Sequence, residues 1–445
     1  MQEKEKDKFS FINERRKEKP INKRKLAIQA GFVVGMAVVF GLVASFVFAY
    51  TQPIFEQMLY PEAEPYVSIP RDDIGEVEDT EETDTTEPEE TELAETGTED
   101  LPADIDSTED IEPPIQQIPR ELEIADFQNV QNKLYAVGRE ANRFVVTVTA
   151  IKSDTDWFNN AYESRGQASG IIIADNGYEL LVLTERKVIS DAEVIYVTFI
   201  NEATVEASMK KYDGNTGIAV LSIPHDGVDE ETMNAISIAT LGNSLVIPQG
   251  MMAIAVGSPL GTSYSILTGN ITSTNNSVSV VDNNFTVFTT DIVGSSDGSG
   301  AIINIEGEVI GLVMQDYSSE GEQGTLTAIS ISELKAMIEK LSNGQDIPYI
   351  GLQLSTVTND IAREYDIPKG AYIREVKMDS PGMAAGLQSG DIITQMGGEA
   401  VFTVDAYENR LLALAPDERV EIVVERQGTD GYREISCMVD VSILQ

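Results

Sequence analysis

Chemistry in this chain would have to start from a loop of small residues. Gly294 to Gly300 gathers three serines and three glycines around Asp297. Such a composition supplies hydroxyls and lets backbone N–H groups converge on an anionic or carbonyl oxygen. A serine hydroxyl is a weak nucleophile until an adjacent base takes its proton and a third group orients that base. Taken alone, such a loop is most often a plain turn. The supply of bases is thin, because His225 is the only histidine and follows Pro224 in what reads as an exposed loop. Cys437 is the only cysteine, so no intrachain disulfide and no thiolate metal cluster can form. No metal and no cofactor is expected.

The elements that must position this loop follow it directly. Ala301 to Ile305 and Val309 to Val313 are rich in β-branched residues, and Glu306-Gly307-Glu308 between them offers a glycine for a tight turn. Upstream, strand-like runs recur at short intervals: 144–151, 170–174, 179–184, 193–200, 204–210, 218–223, 251–256, 265–273, 278–281 and 285–291. This spacing argues for an all-β barrel or sandwich. A short helical run around Val130 to Asn142 precedes them, and a helix over Ser332 to Leu341 closes the region. A polar link at 342–346 leads into a second domain of mixed pattern that runs to Gln445.

The N-terminal third has another character. Residues 1–25 end in a basic stretch, and residues 26–50 carry no charge, enough for a helix to span a bilayer core of about 30 Å. The run exceeds the apolar region of a cleavable signal, so it reads as a retained transmembrane helix. Basic residues before it place the N-terminus in the cytoplasm and the rest outside. Residues 51–125 then turn acidic, with no basic residue between Asp72 and Pro119. High charge with little apolar surface predicts a disordered, extended tether. The net charge of −43, nearly half of it between about 61 and 118, argues against a nucleic-acid partner.

Four stretches in order resemble one family. SGIIIADNGYELLVLTERKVI from Ser169, DGNTGIAVLSI from Asp213, GMMAIAVGSPLG from Gly250 and TDIVGSSDGSGAIINIEGEVIGLV from Thr290 are similar to the corresponding segments of the HtrA/Deg family. The resemblance covers about Val130 to Gln445. It implies a mainly β chain: a trypsin-like double β-barrel over 126–342 followed by an α+β PDZ domain over 346–445, behind one transmembrane helix and a disordered acidic linker. Trimerisation is common among such proteins.

Residue by residue, the resemblance departs from a working triad. Lys187 stands where the family has its histidine and Gly217 where it has its aspartate. The nucleophile position falls on Ser299 counted from Thr290 and on Gly298 counted back from Asn304, because the loop is one residue short. The expectation is a proteolytically inactive homologue in envelope protein quality control, tethered to the cell membrane with its domains extracytoplasmic. The alternative is an active endopeptidase in which Lys187, its pKa lowered by burial, serves Ser299 as base. The C-terminal domain keeps its motif better. Tyr349, Ile350, Gly351 and Leu352 resemble the PDZ loop whose amides receive a polypeptide's C-terminal carboxylate, with Val404 to Ala413 as the flanking helix. Ile350 and Leu352 could equally serve only to fill a core.

Overall fold

The computed structural model describes residues 23–59, 66–72, 123–155, 161–318 and 324–444. An apolar helix, α1 (Lys23–Leu59), contains a 22-residue stretch, Gly31–Gln52, of mean hydropathy 2.5. By length and composition it can cross a membrane, at about 33 Å for 22 residues. Phe32, Phe40 and Phe46 on it are exposed, so no protein core accounts for its apolar surface. The basic segment expected over 1–25 lies outside the described residues up to Asn22, and Lys23 to Lys25 already belong to α1.

The tether expected to be disordered over 51–125 is corrected where it is described. Residues 51–59 continue α1, and residues 66–72 are docked; 60–65 and 73–122 lie outside the described residues. Docking has a clear cause. Val67 and Ile69 give this short stretch apolar surface to bury, and Asp72 pairs with the nearly buried Lys335 at 2.7 Å. Tyr66 and the Ile69 amide both donate to Glu339, at 2.7 and 2.9 Å. Asn343 exchanges hydrogen bonds with both backbone groups of Val67.

After α2 (Ile124–Ala141) come two closed barrels. The first contains β1 (Val145–Thr155), β2 (Ala161–Asp175), β3 (Glu179–Glu185), β4 (Val194–Thr198), β5 (Thr204–Tyr212) and β6 (Ile218–Pro224), in the order β1-β2-β3-β6-β5-β4. The short helices α3 (Arg186–Ile189) and α4 (Glu230–Ala235) belong to it. The second contains β7 (Met252–Ser258), β8 (Ser265–Ser279), β9 (Asn284–Val293), β10 (Ser299–Ile303), β11 (Val309–Val313) and β12 (Thr325–Ser330), in the order β10-β11-β12-β9-β8-β7. The hairpin read from Ala301 to Val313 is β10 and β11, paired antiparallel. Two separate strands expected over 265–281 are one, β8, because register shifts after Ile271 and Ser273 absorb the polar TSTNN run without breaking the pairing. Each barrel has its own interior, and a third core between them is closed by α5 (Ile331–Ser342) through Leu334, Met337, Ile338 and Leu341. β-Branched and leucine side chains fill all three.

The C-terminal domain pairs β13 (Pro348–Tyr349) with the last strand, and builds a sheet from β14 (Leu352–Thr356), β15 (Ala371–Val376), β16 (Ile392–Met396), β17 (Glu399–Ala400), β18 (Arg419–Gly428) and β19 (Gly431–Asp440); β20 (Ser442–Ile443) is that last strand. α6 (Asn359–Tyr365), α7 (Pro381–Ala384) and α8 (Val404–Ala413) interrupt the strands. α8 buries Tyr407 and Leu411 in the domain core and turns Leu412 toward the inter-barrel core. Buried Asp391 holds Arg426 bidentately at 2.6 and 2.7 Å, tying β18 to the loop before β16.

Candidate functional site

Ser299 opens β10 at the seam of the two barrels and is only 3% exposed. Its Oγ accepts the Ser169 amide of β2 at 2.9 Å, so the second barrel's serine is hydrogen-bonded to the first barrel's wall. Ser169 is in turn fixed to β3, its carbonyl accepting the Thr184 hydroxyl at 3.1 Å. Gly300 follows with φ +130, and a Cβ there would stand 2.1 Å from the Val256 carbonyl oxygen. Only glycine lets β10 lie this close to β7.

Three of the loop amides that could converge on an incoming oxygen are already paired. The Gly294 amide donates to the Gly324 carbonyl at 3.1 Å, Ser295 to Pro259 at 3.0 Å, and Gly298 to Ser295 at 2.9 Å. Only the last of these bonds closes within the loop; the other two tie it to the segments after β7 and before β12. With one residue fewer, Ser295 to Gly298 closes as a tight turn that takes the Gly298 N–H inward.

Lys187 lies on α3, immediately after β3, and shares with Ser299 an open cleft of about 520 Å³ whose wall includes Gln167, Glu185 and Asp297. Its ammonium is 2.7 Å from Glu185 Oε2 and 3.5 Å from Asp316 Oδ1. Burial draws the Lys187 pKa down, but the Glu185 contact and the two negative charges outweigh it, leaving it above the ordinary lysine value. Glu185 is nearly buried and its own pKa is raised, chiefly by burial and against the pull of Lys187. Among the described residues no hydrogen bond joins Lys187 to Ser299. The lowered lysine pKa that a Ser–Lys dyad needs is thus replaced by a raised one.

Gly217 adopts φ +75 at the end of the Asp213–Gly217 turn, and its carbonyl accepts the Arg186 amide at 2.7 Å. A Cβ there would meet nothing within 4 Å, so the position holds open space where a side chain could stand. Asp213 is buried and spent on the turn, its Oδ2 accepting both the amide and the hydroxyl of Thr216 at 2.7 and 2.6 Å. His225 is held elsewhere: Nε2 lies 3.4 Å from Asp175 Oδ2, beside the β2–β3 turn. β3 pairs Glu179 with Pro224 and Glu185 with Ile218, so His225 sits at the opposite end of β3 from Lys187, about 20 Å away by strand rise.

In the C-terminal domain, the side chains of Ile350 and Leu352 are buried in the core while their amides face outward to one acceptor. Packing and loop chemistry thus coexist on the same residues. The acceptor is Asp282, in the turn between β8 and β9 of the second barrel. Its Oδ2 accepts the Ile350 and Gly351 amides at 2.8 and 2.7 Å, and its Oδ1 accepts the Leu352 amide at 2.9 Å and the Tyr407 hydroxyl at 2.8 Å. Gly351 takes φ +95, and a Cβ there would lie 2.3 Å from Ser380 Cβ. Tyr349 borders the loop half-buried, its pKa raised by burial and by the Asp282 charge. Glu185, Asp282 and Tyr407 are the residues that sequence reasoning missed. An acid two positions before Lys187 was visible as a partner, whereas Asp282 left no local signal.

Comparison with known proteins agrees with this architecture. Residues 168–312 match a trypsin-like peptidase domain and residues 348–436 match a PDZ domain. The chain is 30% identical over 268 residues to a probable periplasmic serine endoprotease, DegP-like, of Marinomonas sp. (strain MWYL1), covering 59% of this chain and 55% of the relative. It is 30% identical over 277 residues to the similarly described protein of Pseudomonas savastanoi pv. phaseolicola, covering 60% and 54%. The chain therefore spans about half the length of these curated relatives. Among solved structures, an HtrA-type protease AlgW with decapeptide has a TM-score of 0.51 at 19% identity, covering 70% of this chain and 99% of that one; at this identity the likeness concerns the fold. The two barrels and the sheet domain coincide with the matched peptidase and PDZ regions, in that order, and the chain is similar to DegP-like proteins of the HtrA/Deg family.

Proposed function

We propose that this protein is a membrane-tethered, extracytoplasmic HtrA-like serine protease homologue that has kept the peptidase fold without the reaction. It binds polypeptides or partner proteins through its PDZ domain and its protease-like cleft, in envelope protein quality control. The carrying observation is the ion pair of Lys187 with Glu185 at 2.7 Å. The base that would replace a histidine is held as an ammonium by Glu185, its pKa raised, and so has no free lone pair to take the Ser299 proton. Gly217 offers no carboxylate to orient any base, and the Ser299 hydroxyl is fixed on the Ser169 amide. The reading of α1 as a membrane anchor rests on its length and exposed apolar surface. Assembly as a homotrimer is part of the same proposal and rests on family resemblance.

Labelling of the full chain with a fluorophosphonate tests the reading. Ser299 is expected to remain unlabelled under conditions that label an active trypsin-like enzyme. Labelling that disappears in both Ser299→Ala and Lys187→Ala would instead establish a Ser–Lys enzyme.

A further inference from the structure

The Asp282 contact extends along the first half of β14. The Asp282 amide donates to the Leu352 carbonyl at 2.6 Å, a main-chain bond of the kind an added strand makes with β14. Ser279 Oγ and Asn284 Nδ2 both donate to the Leu354 carbonyl, one β14 repeat further on, at 3.4 Å. On the other wall, Glu408 of α8 accepts the Asn284 amide and Tyr407 reaches Asp282. Residues 279–284 thus lie between β14 and α8.

We propose that the β8–β9 turn is an internal ligand of the PDZ groove, with the Asp282 side chain seated where a polypeptide's C-terminal carboxylate would sit, so that a peptide must displace it to bind. This rests on the peptide-binding reading of the same loop and adds its regulation.

The chemistry of the contact supports this beyond packing. Four donors and no acceptor surround the two Asp282 oxygens, the environment of a carboxylate. Burying that charge is costly, and it is spent on donors of the C-terminal domain's loop rather than on the turn's own backbone. A turn that served only to pack the domains together would not need a buried carboxylate. Asp282 is 3% exposed, so an external carboxylate cannot reach the same amides until the turn leaves. When the competent state is populated at about 1–10%, apparent affinity falls by about 10- to 100-fold.

The test uses the full chain in detergent micelles and a set of decapeptides with randomised last four residues, synthesised with free C-terminal carboxylates and again as amides. Asp282→Ala is expected to bind free-carboxylate peptides at least about tenfold tighter than the wild type, with the amidated set unchanged. Amide hydrogen exchange at 350–352 should be slow in the wild type and fast in the unliganded variant. Asp282→Asn gives a second variant of unchanged size with the same expected direction. If the wild type binds as tightly as either variant, self-occupation is wrong while peptide binding stands. If neither variant binds any free-carboxylate peptide although its core amides remain protected, both readings fall.

Discussion

Lys187 Nζ lies 2.7 Å from Glu185 Oε2, and this pair forms part of the wall of the cleft that also holds Ser299. Glu185 is 4% exposed at the side chain and Lys187 40%, so the lysine is what makes a buried carboxylate tolerable. Lys187→Ala should therefore destabilise the protein by about 1–2 kcal/mol, and Glu185→Gln in that background should recover most of it. Glu185 has a raised pKa in the folded state, so the loss should grow as pH rises above the ordinary carboxylate range. Urea denaturation of the single and double variants at two pH values checks this.

Glu408 carries a second pH signature. Burial lifts its pKa to about 8, with Asp405 on α8, Glu333 on α5 and Asp282 on the β8–β9 turn adding negative charge and the Asn284 amide opposing. A folded value raised above the unfolded one stabilises most at pH below the unfolded value, near 4.5, and that contribution is lost as pH rises through about 8. Wild type should lose stability relative to Glu408→Gln between pH 5 and 9, by a few kcal/mol at most. Denaturation curves for the two proteins across that range should converge on the acid side and separate on the alkaline side.

Asp72→Asn should be costly for a residue in an acidic tract. Lys335 is 4% exposed at the side chain and both Asp72 oxygens lie within 2.8 Å of it. Removing the charge strands a buried ammonium, a loss of about 3 kcal/mol, which Lys335→Met should reduce in the double variant. Thermal melts of both variants read this out, and a cost no larger than that of neutralising another acid in the same tract would contradict the docking.

These features divide sharply in how far the sequence revealed them. The barrels, the β10–β11 hairpin and the C-terminal domain were legible because β-branched runs at short spacing and four ordered segments carry them. The neighbourhood of Lys187 and Ser299 was legible through resemblance alone, since 112 positions separate them in the chain. Burial of Glu185 was not, because the next residues, Arg186 and Lys187, make the stretch look like a solvated surface. Docking of residues 66–72 was masked by the composition around it, although Val67 and Ile69 interrupt the acids. Asp282 was invisible for a different reason. It looks like an ordinary turn residue, and its partners Ile350 to Leu352 and Tyr407 lie 68 to 125 positions away.

Gly300→Ala tests whether the shortened loop still depends on the close approach of β10 and β7. A methyl group would stand 2.1 Å from the Val256 carbonyl oxygen at a backbone φ of +130. Relief requires β10 to move, so the variant should lose about 3 kcal/mol or more, or fail to fold. Circular dichroism melts beside a Gly177→Ala control, at a positive-φ glycine with no neighbour within 4 Å, separate the clash from the strain.

The central claim is that the barrels retain the architecture of a peptidase without its reaction. Turnover of unfolded casein by the full chain, compared with Ser299→Ala, tests it most directly. The account predicts equal, background-level cleavage by both proteins across pH 6 to 9. Cleavage by the wild type that Ser299→Ala abolishes would contradict it.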